Sequence, residues 1–354
     1  MITATATSSC NRRETAMTTP EKADVLRSLD GWAESNLLPL LKPVERSWQP
    51  HDLLPDSASP GFREAVDELR ARALEIPDDY YVCLVGNMVT EEALPTYHAA
   101  LNSFVGYDCP SSGDAWARWS RGWTAEENRH GDLLNRYLYL CGRVDVRRVE
   151  QTIHHLINSG MRLASDKCPY RGFIYTAFQE RATAVSHGNT ARRAKALGDD
   201  SLARICGAIA GDEKRHEAAY TRVVEELFRL TPDAAVCALE YMMRERILMP
   251  AYYMFDGRDP ELFRHYAAVA QRLGVYTTAD YADLVQHFVE RWGVAGLGPG
   301  LTGEGRRAQE YVCSLPERVR KMERLDARRR RRRQPEPRRV AFSWVFDRQV
   351  ELQL

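Results

Sequence analysis

Two short stretches of the chain carry metal-binding residue types at a spacing that suits metal binding. Residues 126–130 read Glu-Glu-Asn-Arg-His, and residues 212–217 read Asp-Glu-Lys-Arg-His-Glu. Each stretch contains a Glu-x-x-His unit, and residues three apart on an α-helix lie on the same face. The carboxylate and the imidazole of one unit can therefore bind one metal ion together. A single unit is a weak indication, because acids and histidines fall three apart by chance, but here there are two.

The helical pattern around each unit places its Glu and His on the apolar face. Glu127 and His130 interrupt a run of apolar residues at steps of three and four, and so do Glu213 and His216. A charged side chain on a buried helix face needs a compensating partner there. Spacing leaves one ambiguity, because Glu126 also lies within one turn of His130, but the phase of the apolar stripe favours Glu127.

Two further helical segments each supply one acid on the apolar stripe, Glu91 (with Glu92 beside it) and Glu180. Burying four carboxylates together is costly unless cations compensate them, and carboxylate and imidazole ligands suit non-haem iron or manganese. Two Glu-x-x-His helices plus a Glu from each of two others is the ligand pattern of di-iron four-helix bundles. The predicted ligands are Glu91, Glu127, His130, Glu180, Glu213 and His216, and which of the acids bridge two ions is left open.

The alternative is a set of buried ion pairs that hold a helical bundle together. For one motif that explanation would be better, but four acids and two histidines in this arrangement favour a metal site. Asp212 lies about 100° around its helix from Glu213, so it either orients His130 or forms an exposed ion pair. His98 and His187 are expected to be core histidines rather than ligands.

The amino-acid composition argues against several classes of protein. The 354 residues include 49 basic and 49 acidic side chains, which argues against a nucleic-acid-binding protein as a whole. No apolar run approaches the roughly 20 residues that cross a bilayer. The eight cysteines are scattered without a Cys-x-x-Cys pair, which disfavours a disulfide framework or a cysteine-rich metal site.

The chain is predicted to be one all-α domain over residues 25–354, with a core bundle at about 79–229. Residues 1–24 form a Thr- and Ser-rich head that is predicted to be disordered or the remnant of a transit peptide.

Pro95 should kink or loosen the helix beside Glu91. The arginine run at 328–333 is interpreted as a solvated linker before a small C-terminal β-hairpin. Helices are predicted at 79–106, 114–141, 145–160, 170–197, 199–229, 233–249, 259–273, 278–292 and 306–325.

The segments around the predicted ligands resemble the soluble plant acyl-[acyl-carrier-protein] desaturases of the stearoyl type. The clearest are LVGNMVTEEALPTY (84–97), WTAEENRHGDLLNRYLYLCGRVD (123–145), GFIYTAFQERATAVSHGNTAR (172–192) and DEKRHEAAY (212–220), and the similarity spans about residues 25–354. The resemblance implies a ferritin-like di-iron bundle that holds two Fe²⁺ per subunit on the six predicted ligands. It further implies a chloroplast-stromal homodimer that takes electrons from ferredoxin and introduces a cis double bond into an acyl chain on acyl carrier protein (ACP), with the chain held in an apolar channel.

The resemblance also assigns roles around the metal site. Trp48 and Asp212 match positions that hydrogen-bond outward from the ligand histidine at 130, and Thr183 matches a threonine beside the oxygen-binding face. The matched basic positions that would dock the acidic carrier protein are Lys42, Arg46, Lys214 and Arg215. A related di-iron oxygenase or a ferritin-like iron-storage protein is the alternative.

The departures from the family pattern concern the channel. Asn87 stands where Asp is usual, and Ala100, Phe104 and Leu163 replace residues common along the channel. These changes leave the preferred chain length and the position of the double bond open.

Overall fold

The computed structural model describes residues 17–105, 113–161, 168–298, 300–333 and 338–352. Within these ranges the protein is an all-α assembly with one two-stranded sheet near its C-terminus, which confirms the predicted fold class. The α-helices are α1 (Thr19–Ser28), α2 (Asp30–Asn36), α3 (Phe62–Leu74), α4 (Asp78–Glu92), α5 (Leu94–Val105), α6 (Ala115–Cys141), α7 (Val146–Ser159), α8 (Pro169–Ala196), α9 (Asp200–Leu230), α10 (Pro232–Glu245), α11 (Leu262–Leu273), α12 (Thr278–Arg291) and α13 (Gly303–Arg333).

The four helices α4, α6, α8 and α9 form the bundle that carries the predicted ligands. Local sequence signals fix where three of them begin: Asp114 and Asp199 cap the first turns of α6 and α9, and Pro169 opens α8. Gly142 ends α6 in the left-handed conformation that glycine adopts without strain. These long helices place side chains from distant parts of the chain at one level inside the bundle.

The predicted helix over 79–106 is divided in two. α4 ends at Glu92 and α5 begins at Leu94, so the break falls directly after the predicted ligand Glu91. Pro95 has no amide hydrogen to donate to the carbonyl of residue 91, which explains the interruption there. The predicted local disturbance is therefore present, as a one-residue interruption at Ala93.

The largest differences from the predicted boundaries concern α13 and α1. α13 runs to Arg333, through the arginine run that was interpreted as a linker, since arginine is a strong helix former. α1 begins at Thr19, inside the range given to the head, where Thr18 and Glu21 form a capping box. Most of the predicted head lies outside the described residues, as does Leu163, and the side chain of Phe104 is not described.

The C-terminal hairpin is confirmed, and it is anchored on the helical body. Strand β1 (Arg338–Phe342) pairs antiparallel with β2 (Arg348–Leu352). Trp344, fully buried between them, donates its indole hydrogen to the Thr152 hydroxyl at 2.9 Å, and its carbonyl accepts from the Asp145 amide at 2.8 Å. Both partners belong to the start and body of α7. Among the described helices, none is long and apolar enough to cross a membrane.

Candidate metal centre

The six predicted ligands lie together inside the bundle, and all are buried. Their ligand atoms form two groups, and within each group the atoms lie within 4.8 Å of one another. The groups share two residues, Glu127 and Glu213. The first group is Glu91, Glu127, His130 and Glu213, and the second is Glu127, Glu180, Glu213 and His216. An arrangement with two shared carboxylates suits two adjacent metal ions, with Glu127 and Glu213 placed to bridge them.

The innermost polar atoms face each other without forming hydrogen bonds. His130 Nδ1 lies 3.0 Å from Glu213 Oε1, and His216 Nδ1 lies 2.6 Å from Glu127 Oε1. None of these four buried atoms has a hydrogen-bond partner of acceptable geometry among the described residues. Buried polar groups are nearly always satisfied. Buried polar atoms that face each other without hydrogen bonds fit a site that two bound cations would occupy.

The pKa shifts in the cluster indicate that it contains too few positive charges for its acids. Burial and the nearby Glu127 carboxylate raise the pKa of Glu180 well above its usual range, and they also raise the pKa of Glu213. Burial lowers the pKa of His130 and of His216, but the surrounding carboxylates outweigh it and raise both pKa values. Although burial acts to raise the pKa values of Glu91 and Glu127, the histidines outweigh it and lower both. The four acids are thus only partly neutralised by the protein's own cations, and bound metal cations would supply the remaining positive charge.

Each ligand histidine faces the acid that precedes the ligand Glu of the other motif. His216 Nε2 lies 2.9 Å from Glu126, and His130 Nε2 lies 3.7 Å from Asp212. The two motifs therefore cross: the carboxylate at the start of each one lies behind the histidine of the other. A metal-binding histidine commonly donates its outer N–H to such a carboxylate, which fixes the ring orientation. Asp212 is fully buried, so the exposed ion pair is the wrong alternative for it.

Three basic side chains hold these two outer acids. Arg129 and Lys42 contact Asp212 at 3.0 and 2.9 Å, and Arg215 contacts both Asp212 and Glu126. The Lys42 amide also donates to Glu126 at 2.8 Å. Burial acts to raise the pKa of Asp212, but its interactions with His130, Arg215 and Lys42 outweigh the burial and keep that pKa low.

The predicted docking residues consequently differ in their availability. Lys42 and Arg215 are engaged with the buried acids behind the histidines, and the Arg215 side chain is only 17 % exposed. Arg46 and Lys214 are exposed. The four residues do not form one uniform basic surface.

Trp48 and Thr183 lie beside the centre in different ways. The Trp48 ring stacks on His130 with its centroid 6.0 Å away and also lies under the Arg129 guanidinium, but its indole nitrogen makes no hydrogen bond among the described residues. Stacking therefore replaces the hydrogen bond that the resemblance implied. The Thr183 hydroxyl lies 2.5 Å from Glu213 Oε2, one helical turn after Glu180.

Two residues that contact the ligands were not predicted to do so. His187 was expected to be an ordinary core histidine, yet its Nε2 lies 2.8 Å from Glu91 Oε1. His187 lies seven residues after Glu180, on the same helix face and two turns farther along. This spacing could have been used to predict that His187 lies near the ligands. Glu126 was weighed only as a rival of Glu127, although it occupies the same place in its motif as Asp212 does in the other.

The contact between Glu126 and His216 gives a testable role. Replacing Glu126 with Gln keeps the size of the side chain but removes the negative charge behind the histidine. We expect metal affinity or activity to fall about 10- to 100-fold, as for other carboxylates behind a ligand histidine. Co²⁺ titration followed by visible absorption measures the affinity, and a changed ligand field alters the spectrum.

The matched control for this variant is Glu92→Gln. Glu92 also adjoins a predicted ligand in sequence, but it pairs with Asn135 at 3.3 Å rather than with a histidine. Its Co²⁺ spectrum and affinity should match those of the parent protein. Equal effects of the two substitutions would remove the positioning role from Glu126.

A cavity adjoins the ligand cluster on one side. Its surface is mostly apolar, with four of the predicted ligand acids at its inner wall. The Trp123 indole, at the edge of the cavity, donates to Glu180 at 3.0 Å. The other lining residues are Thr90, Tyr97, Leu101, Tyr175, Thr176, Gln179, Thr183 and Pro250. A chain of methylene groups in this cavity would lie directly against the metal ligands.

Comparison with known proteins places the chain among desaturases. The fatty acid desaturase family model matches residues 21–346. The stearoyl-[acyl-carrier-protein] 9-desaturase 1, chloroplastic, of Oryza sativa subsp. indica is 59 % identical over 351 residues, covering 98 % of this chain and 91 % of the relative. The stearoyl-[acyl-carrier-protein] 9-desaturase, chloroplastic, of Carthamus tinctorius is 60 % identical over 335 residues, covering 94 % and 83 %.

A solved structure shares the fold at much lower sequence identity. The X-ray structure of DesA2 from Mycobacterium tuberculosis H37Rv aligns with a TM-score of 0.50 at 20 % identity, covering 80 % of this chain and 99 % of that one. The family model and the two plant relatives span nearly the whole described chain, including all four helices of the bundle. The chain belongs to the fatty acid desaturase family, among the plant acyl-[acyl-carrier-protein] desaturases.

Proposed function

We propose that the protein is a ferredoxin-dependent acyl-ACP desaturase that contains two irons. The overall reaction takes a saturated –CH₂–CH₂– unit, dioxygen, two electrons and two protons to a cis –CH=CH– unit and two waters. The observation that carries this proposal is the pair of ligand groups that share Glu127 and Glu213 and open onto an apolar cavity. Relatives named as stearoyl-ACP 9-desaturases support stearoyl as the first substrate to test.

When bound, the iron pair supplies the oxidation of the unreactive acyl chain by dioxygen. The residues of the chain hold the irons and orient the groups around them. Glu91 and Glu180 would each hold one iron, with His130 and His216 as the nitrogen ligands. The outer contacts of Glu126 and Asp212 would fix the rotation of the two histidine rings.

Other side chains position groups around the ligands. The Thr183 hydroxyl donates to Glu213 Oε2, and the Trp123 indole donates to Glu180 Oε1, so each holds one carboxylate in a fixed orientation. The apolar cavity would hold one methylene pair against the ligands and exclude water. Both effects lower the cost of reaching the reactive geometry.

The partners follow from the same proposal. The carrier protein is acidic, and Arg46 and Lys214 are the exposed members of the predicted docking set. We infer a homodimer in the chloroplast stroma, because the plant relatives are named chloroplastic and the resemblance implies a dimer. A ferritin-like storage function, the alternative, is not favoured by these relatives.

The test is to load the purified protein with Fe²⁺ anaerobically, add stearoyl-ACP and reduced ferredoxin, and admit air. We expect oleoyl product by gas chromatography, and none when either ferredoxin or air is omitted. Stearoyl-coenzyme A in place of stearoyl-ACP should react far more slowly, because it lacks the acidic carrier. Absence of any unsaturated product across a panel of acyl-ACP chain lengths would contradict the proposal.

A further inference from the structure

The cavity beside the ligands continues toward the protein surface at one end. It shares Tyr175 and Pro250 with a second cavity, which we call the entry chamber. Glu245 and Arg246, at the end of α10 and just after it, line the entry chamber and are exposed. An acyl chain that reaches the ligands through this chamber therefore leaves its carrier near the C-terminal end of α10.

Helix α13 runs alongside α10 in the same direction and continues past its end. Near the start of both helices, the Thr302 amide donates to Asp233 Oδ1 at 2.7 Å. Near the end of α10, the Arg244 guanidinium lies over the Tyr311 ring of α13, 3.8 Å from the ring centroid. From Tyr311 the helix continues to Arg333, about 30 Å farther at 1.5 Å per residue. The last part of α13 therefore lies beyond the end of α10, where the entry chamber opens.

Helix α12 joins this part of α13 to the edge of the chamber. Burial raises the pKa of Tyr281 on α12, Tyr311 raises it further and Arg246 lowers it, so this ring lies near both side chains. Farther along, the Arg320 guanidinium of α13 donates to Asp283 of α12 at 2.8 Å. These contacts hold the projecting end of α13 beside the opening of the chamber.

The projecting end has three basic side chains on one face, Lys321, Arg324 and Arg328, which we call the basic stripe. These positions are three and four residues apart, so they lie above one another on the helix. All three are exposed, and none of them forms an ion pair among the described residues. Two other arginines of this segment already have acidic partners, Arg320 with Asp283 and Arg329 with Asp326.

The charge of this segment is opposite to that of the rest of the chain. Residues 321–333 contain eight basic and two acidic side chains, so their net charge is +6. The whole chain has 49 basic and 49 acidic side chains, so the remaining residues have a net charge of −6. The segment attracts an acidic partner that the rest of the protein repels, which favours docking of such a partner here.

An acidic protein matches this segment better than a lipid surface does. Helices that bind at a lipid surface combine basic residues with a broad face of large apolar side chains. Among the described residues of the segment, the exposed large apolar side chains are Met322 and Leu325, which are 64 % and 43 % exposed. Exposed charges with little apolar surface are typical of the rim of a protein interface, where they steer the partner.

We propose that the basic stripe of α13 docks the acidic carrier protein and holds it over the opening of the entry chamber. This inference rests on the proposed function, in which the acyl chain arrives on that carrier. The stripe would act on the carrier and not on the acyl chain, because Lys321, Arg324 and Arg328 do not line the chamber. The arginine run at the end of α13 then has a role as part of a docking helix.

The test compares two double variants of the iron-loaded protein, each of which loses two positive charges from α13. Arg324→Gln with Arg328→Gln alters the stripe, whereas the matched control, Arg306→Gln with Arg307→Gln, alters exposed positions at the opposite end of the helix. Fluorescence anisotropy of labelled stearoyl-ACP, without reductant, measures the dissociation constant. We expect it to rise about fivefold for the stripe variant, as for the loss of two exposed ion pairs, and to stay at the parent's value for the control.

Two further conditions separate docking of the carrier from other roles. The difference between the two variants should shrink at about 0.5 M salt, where the screening length is roughly 4 Å. It should be the same for ACP without an acyl chain, because the stripe contacts the carrier. Equal dissociation constants for the two double variants would overturn the inference, as would a difference that is confined to acylated ACP.

The remaining outcomes distinguish this inference from a lipid-binding role and from the proposed function. Parent protein that binds vesicles of phosphatidylglycerol, with that binding lost and ACP affinity unchanged in the stripe variant, would overturn carrier docking in favour of a lipid surface. A parent protein that forms no olefin contradicts the proposed function, whereas ACP binding that depends on the stripe would still support the docking inference. A parent protein that does not bind ACP would contradict both.

Discussion

Replacing Glu127 with Ala should remove both metal ions, whereas replacing Glu91 with Ala should weaken mainly one. Glu127 belongs to both ligand groups, and Glu91 belongs to one. Loss of a shared carboxylate removes one ligand from each metal ion and also removes the bridge between the two ions. We expect Glu127→Ala to bind fewer than one iron per chain and to lose more than about 100-fold in activity, beyond the usual effect of an outer contact.

The contrast between the two variants is the informative part of this experiment. Iron per chain, measured by plasma emission after anaerobic loading and desalting, should be clearly lower for Glu127→Ala than for Glu91→Ala. Circular dichroism should show that both variants keep their helices, since α4 and α6 pack through many other buried residues. Equal iron content in the two variants would refute the assignment of Glu127 as a shared ligand.

Trp344→Ala should strongly lower the free energy of unfolding without changing any of the predicted metal ligands. The side chain is fully buried, and its indole bonds the Thr152 hydroxyl on α7. Truncating a buried tryptophan costs about 3–5 kcal/mol through lost burial and the cavity left behind. The hairpin that carries it closes one side of the helical body, so the thermal midpoint of the whole protein should fall.

Phe346→Ala is the matched control for the tryptophan variant. Phe346 lies in the same hairpin but is 50 % exposed. Its truncation should change the free energy of unfolding by no more than about 0.5 kcal/mol. Parallel urea titrations of the two variants compare them, and similar midpoints would mean that the hairpin is not anchored through Trp344.

The sequence was sufficient to predict the bundle because its signals are local and redundant. Long runs of helical periodicity fixed α6, α8 and α9 to within a few residues, and Pro95 marked the break beside Glu91. The six ligand positions could be predicted for the same reason: each interrupts an apolar stripe, and the helix period then determines which face it shares. The placement of these side chains in one cluster agrees with that prediction.

Contacts between helices could not be predicted in the same way. Which carboxylates are shared between the two groups depends on the relative depth of α6 and α9, and spacing along one helix carries no such information. The contact of His187 with Glu91 and that of Glu126 with His216 both join residues about 90 or more positions apart. The resemblance also gave Lys42 and Arg215 a docking role on the surface, which stays a prediction, and spacing gave no sign that both contact buried acids.

The dependence of product formation on iron loading tests the central claim most directly. Protein samples loaded with increasing amounts of Fe²⁺ would be assayed with stearoyl-ACP, reduced ferredoxin and air, and iron per chain would be measured in the same samples. A pair of irons that share Glu127 and Glu213 predicts that olefin formation rises to a plateau at two irons per chain. Activity that is complete at one iron per chain, or no olefin at two, would contradict the account.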